Sequence, residues 1–97
     1  MALAHSTGTH ELQVLKDDLA SVPAVELVFA NTDSRKWLSV LIVLDKYDTK
    51  AERKIVEIEG QFIEAFPWFD VDFDIVYRDG RQLTDVVSPK GFQLFAR

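Results

Sequence analysis

Three aspartates, Asp70, Asp72 and Asp74, occupy alternate positions of the segment FDVDFDIVY and are the strongest candidates for chemistry in this sequence. On an extended chain such carboxylates share one face, with neighbours ~6.6 Å apart. That separation is wide for one compact divalent ion, so a metal there needs further oxygen ligands from adjacent strands. Two readings of the row follow. It is a site for a divalent cation or a cationic partner, or it is a solvated strand face whose charge opposes edge-to-edge association.

The other reactive residue types are sparse. His5 and His10 have no cysteine and no third ligand at set spacing, which makes them a poor zinc pair. A histidine acting as a base also needs an oriented partner and a nucleophile, and no GxSxG-type elbow is present. Asn31, Thr32, Ser34, Arg35 and Lys36 could hold an anion at a turn, but no glycine there lets the backbone close on a phosphate. Arg53 and Lys54 read as exposed helix charges beside Glu57. Trp37 and Trp68 are candidate interface residues; Trp68 falls on neither flanking apolar stripe, and a partly exposed tryptophan is a common anchor between proteins.

Composition narrows the partners. The chain has 97 residues, 11 basic against 16 acidic, and no cysteine. Its length suits one domain, and 47% hydrophobic content is enough for a folded core. Without cysteine there is no disulfide framework, thiolate metal site, cysteine nucleophile or CxxC motif. A net charge of −5 argues against nucleic acid or an anionic membrane as partner, leaving a second copy of the chain or another protein. No cofactor motif is present. The opening MALAHSTGTH lacks the cationic start and apolar run of a secretory signal. The longest apolar run, Val40 to Leu44, is far below a membrane span. A cytoplasmic domain is the expectation, with a disordered tail over 1–8 and a single α+β domain over 9–97.

The elements that would position these residues follow from periodicity. Leu12, Leu15, Leu19 and Val22 recur on a helical period after Thr9, a suitable N-cap, and Pro23 ends the run. AVELVFA over 24–30 reads as a strand, Asn31 to Ser34 as a turn, and LSVLIVL over 38–44 as a central strand buried on both faces. So short a connection predicts an antiparallel hairpin. Thr49 and Glu52 have capping-box spacing before a helix with Ile55, Ile58, Phe62 and Phe66 on its buried stripe. Gly60, in mid-helix, suggests close packing on the sheet. FDVDFDIVY alternates as a strand, Asp79-Gly80 is a hairpin signal, and 82–87 is either a returning strand or an irregular connection. Ser88 to Gly91 is a turn before a last strand at 92–96. The expectation is a small mixed sheet of four or five strands with two helices on one face, in the order α-β-β-α-β-(β)-β.

This order, with a hairpin before the long helix and an acidic strand after it, resembles the minimal nucleotidyltransferase fold from about Val25 to Phe95. In active members a Gly-Ser pair ends a strand, the next strand opens with two magnesium-binding carboxylates one residue apart, and a third carboxylate lies on the strand after the helix. In this sequence Val28-Phe29-Ala30-Asn31 takes the place of the first motif, with Ala30 for Gly and Asn31 for Ser. Leu38 and Val40 fall at the carboxylate pair, and Asp72 or Asp74 at the third position. The resemblance implies a catalytically inactive member acting as an interaction or regulatory module, and a homodimer surface is the simplest use of Trp68. The alternatives are a divalent-metal-dependent enzyme using Asp70, Asp72 and Asp74, and an unrelated α+β binding domain.

Overall fold

The computed structural model describes residues 6–34, 37–88 and 91–97. Over them the chain forms helix α1 (Ser6–Ala20), strands β1 (Val25–Ser34) and β2 (Trp37–Leu44), helix α2 (Thr49–Ala65), strand β3 (Asp70–Tyr77), a 3₁₀ turn at Leu83–Asp85 and strand β4 (Phe92–Ala96). The sheet runs β3-β2-β1-β4. β1 is antiparallel to both neighbours, while β2 and β3 are parallel, joined through α2 as a parallel pair requires. This is a mixed four-stranded α+β sheet. The optional fifth strand is absent: residues 82–87 hold the 3₁₀ turn instead.

Cross-strand pairs point to the same side of a sheet, so the register assigns each face. One face carries the rows Val28–Ile42–Ile75, Ala30–Val40–Phe73 and Thr32–Leu38–Val71. Val28, Ala30, Leu38, Val40 and Ile42 are all fully buried there, in one cluster with Leu15, Leu19 and Val22 from α1 and its exit and with Ile55, Ile58 and Phe62 from α2. Both helices therefore cover this face. The Phe62 ring packs against those of Phe66 and Phe69, with centroids 4.9 and 5.9 Å away. The opposite face carries Phe29–Leu41–Asp74, Asn31–Ser39–Asp72 and the Trp37–Asp70 pair.

Several local expectations are corrected. α1 already includes residues 6–8, so Thr9 lies inside the helix rather than at its cap. Residues 1–5, with His5, lie outside the described residues. The expected turn at Asn31 to Ser34 is an extension of β1, because Asn31, Thr32 and Ser34 pair with Ser39, Leu38 and Trp37. Arg35 and Lys36 also lie outside the described residues. The cap of α2 is Asp48, one residue before the expected Thr49; its carboxylate accepts the Ala51 N–H at 3.0 Å. Gly60 does not pack on the sheet: it is exposed, and a Cβ built there meets nothing within 4 Å.

The Asp79-Gly80 turn forms, with φ of 53° and 77°, but among the described residues no strand returns beside β3. Its backbone is bound instead at the exit of β2. The Arg78 N–H donates to the Leu44 carbonyl, the Asp79 N–H to the Asp45 carbonyl, and the Gly80 N–H to the Asp45 carboxylate at 2.7 Å. The Arg78 guanidinium then bonds Glu26 at 3.0 and 3.4 Å and approaches Asp45 at 3.5 Å. The hydrogen bond that Arg78 donates to Glu26 holds the Arg78 pKa above its ordinary value, with burial opposing and the Glu26 and Asp45 charges adding. With the turn fastened there, the chain leaves β3 unpaired on its outer edge and crosses to β4 at the far side of the sheet.

Arg97 ties the end of β4 to the end of α1. Its guanidinium donates to the Ala20, Val22 and Val25 carbonyls at 3.1, 3.0 and 2.9 Å. A helix end leaves carbonyls without intrahelical partners, and this fork supplies a donor to one of them, that of Ala20, the last residue of α1.

Candidate functional site

The helix-free face of the sheet holds a groove of about 570 Å³, within the usual range for small-molecule sites. Its floor is Phe29, Trp37 and Leu41; Asn31 and Ser39 add an amide and a hydroxyl, and Asp74 one carboxylate. Strand alternation explains the set. Phe29 and Asn31 in β1, Trp37, Ser39 and Leu41 in β2, and Asp74 in β3 are all on the phase opposite to the core residues. Val87 and Ser88 form the remaining wall, which shows that the β3–β4 connection passes over this face.

The structure brings some predicted residues together and separates others. Asn31 and Ser39 are paired, and Asp72 is the β3 partner of Ser39, so the Asn31-to-Asp72 row does cross the sheet. Asp70, Asp72 and Asp74 share that face and are exposed. Their partners in β2 are Trp37, Ser39 and Leu41, which offer one hydroxyl and no carboxylate. Among the described residues no three His, Cys, Asp or Glu converge as metal ligands would. Leu38 and Val40, the positions the nucleotidyltransferase pattern assigns to metal carboxylates, are fully buried on the helix-covered face. An acid at either would face the core.

Of the two tryptophans, Trp37 is half-buried in the groove and Trp68 is 49% exposed beyond the end of α2. The Trp68 indole lies edge-on to Phe66 at 5.7 Å, and its N–H donates to Glu11 Oε2 at 3.3 Å. Glu11 is the only buried charged residue among those described, and its Oε1 has no partner among them. His10 packs on Phe66, centroids 6.1 Å apart, does not line the groove, and belongs to no group of three metal-ligating residues among those described.

Chemically the groove is equipped to bind and poorly equipped to react. Among the described residues its side-chain polar groups are two hydroxyls, one amide, one indole N–H and one carboxylate, and none of those residues that line it gives Asp74 a titratable counterpart. Sequence reasoning singled out Asn31, Trp37 and Asp74 but missed Phe29, Ser39 and Leu41, which alternation alone places on the same side. It had no signal for Val87 and Ser88, because nothing local dictates where a connection crosses. No helix among the described residues is long and apolar enough to cross a membrane. Comparison with models of known families, with curated proteins and with solved structures finds no match for this chain.

Proposed function

We propose that the chain is a non-catalytic, nucleotidyltransferase-like interaction or regulatory module that acts by binding, with self-association as its simplest mode. The observation that carries the non-catalytic part of this reading is the phase of β2. Leu38 and Val40 turn into the core, and the residues that do face the Asp70, Asp72 and Asp74 row are Trp37, Ser39 and Leu41. An apolar and aromatic floor with a single carboxylate among its described lining residues supports binding rather than two-metal phosphoryl chemistry, which needs several carboxylates around a shared site. The hairpin and the acidic strand lie side by side in one sheet under two helices, an arrangement that supports the likeness of element order. The same proposal places the domain in the cytoplasm, which its cysteine-free composition accommodates.

Titrating isotope-labelled protein with magnesium alone and then with Mg-ATP, read by NMR alongside an assay for nucleotide turnover, tests this. The expected result is no turnover and no saturable shift at Asn31, Ser39 or Asp72. Saturable shifts at those residues together with turnover would overturn the reading. An enzyme built on the aspartate row would in addition lose activity in Asp72→Asn while keeping its fold.

A further inference from the structure

The groove on the helix-free face changes character across the strands. Phe29, Leu41 and Asp74 form one cross-strand row, and all three line the groove. Neighbouring strands lie ~4.8 Å apart, so a phenyl ring, an aliphatic floor and a carboxylate follow one another within ~10 Å. The ion pairs among the described residues go to Glu26, Asp45, Glu57 and Asp79, which leaves the exposed Asp74 carboxylate out of all of them. Asp72 and Asp70 continue the same face of β3 without lining the groove. No lysine, arginine or histidine is among the described lining residues.

We propose that this groove binds a small organic cation in which a short alkyl spacer joins an aromatic ring to an ammonium group. The inference rests on the reading of the domain as a module that acts by binding, and names the ligand class of its groove. Charge sorts the occupants first. A phosphate or carboxylate ligand meets Asp74, with Asp72 and Asp70 beyond it and no described lining base to offset them. A second copy seated face to face sets two aspartate rows against each other, and the described strand positions on this face include no base. A cation gains from the same field. Shape then selects the ring. With the ammonium against Asp74, a short spacer carries the ring over Leu41 to Phe29, where two rings attract at centroid separations of ~4.5–7 Å. Asn31 and Ser39, one row along, offer an amide and a hydroxyl to a polar substituent. Because Asp74 is open to water, its attraction is modest and screened by salt, and the apolar floor supplies the rest.

Titrating phenethylamine into the isotope-labelled whole chain, read by NMR, tests the proposal. The expected result is saturable shifts at Phe29, Ser39, Leu41 and Asp74 with a Kd of about 1 mM, as a probe of this size allows. Binding weakens with salt. Asp74→Asn lowers affinity about threefold or more, while Asp70→Asn, the same charge change outside the groove lining, alters it by less than about 1.5-fold. Hydrocinnamate, which keeps the ring and reverses the charge, and butylamine, which keeps the charge and lacks the ring, each bind about threefold more weakly or worse. Absence of saturable shifts up to about 20 mM probe overturns the proposal. So does binding of hydrocinnamate or butylamine as tight as that of phenethylamine, or an equal loss in Asp70→Asn and Asp74→Asn. Shifts at the same residues on raising the protein concentration without probe place a second copy in the groove and overturn it as well. Each of these failures leaves the non-catalytic reading standing, whereas turnover of Mg-ATP overturns that reading whatever the probe does.

Discussion

Substituting Gly91 by alanine should destabilise the domain, and the structure indicates by how much. Gly91 has φ of +86°, a conformation that costs an L residue about 1–2 kcal/mol. Its position adds a second penalty, because a Cβ there would collide with the Ala30 carbonyl and crowd the Asn31 Cα at 2.8 Å. Ala30 is fully buried in the middle of β1 and cannot retreat without disturbing its pairing with Val40 on one side and Phe92 on the other. The start of β4 must move instead, loosening the Ala30–Phe92 and Phe29–Gln93 pairs. Together these give about 2–4 kcal/mol, a large share of the roughly 5–15 kcal/mol that holds most domains folded. At ~4–8 °C per kcal/mol for a chain of this size, the melting temperature should fall by about 10–30 °C. Thermal and urea unfolding followed by circular dichroism measures this. Gly60→Ala is the internal control: the same added methyl, in open space on a helix, should stabilise by about 1 kcal/mol. The reasoning fails if Gly91→Ala lies within about 0.5 kcal/mol of the parent, or if both substitutions shift stability in the same direction.

Other substitutions test separate parts of the structure. Phe62→Ala removes a ring that is 3% exposed and packed between Phe66 and Phe69, and should cost about 3–5 kcal/mol in urea unfolding. Arg97→Ala removes three hydrogen bonds to the Ala20, Val22 and Val25 carbonyls and should cost about 1–3 kcal/mol. Arg97→Lys should recover only part of this, since an ammonium lacks the planar fork; full recovery would show that charge alone acts there. Asp48→Ala removes the side-chain acceptor for the Ala51 N–H and should cost about 1 kcal/mol, visible as faster amide exchange in the first turn of α2.

What was legible in the sequence is what repetition writes into it. The alternation of FDVDFDIVY and the helical spacing of Ile55, Ile58 and Phe62 each predict a buried face, and those faces meet in one core. The boundaries were harder. Asn31 to Ser34 looks like a turn because short polar side chains compete for local hydrogen bonds, yet Asn31, Thr32 and Ser34 find partners in β2, and β1 extends through them with an irregularity at Asp33. Thr49 and Asp48 are both good caps, and sequence alone does not choose between neighbours. The Glu26–Arg78–Asp45 cluster spans 52 positions between Glu26 and Arg78, so no local pattern announces it. The groove was half legible: alternation places Phe29, Leu41 and Asp74 on one side, but the wall at Val87 and Ser88 depends on a path fixed by the anchored turn at Asp79-Gly80.

The expected active-site pattern depends on a phase that one residue reverses. Strand side chains alternate with a period of two, so a slip by one moves every group to the other face. Leu38 and Val40 face the helices, and the residues beside the aspartates are their odd-numbered neighbours. Ser39 is therefore the only β2 position between Asn31 and Asp72 where an added acid would meet the aspartate row. An acid at Val40 would be buried without a partner at a cost of several kcal/mol, whereas Ser39 is half-buried at the groove and tolerates a charge near solvent.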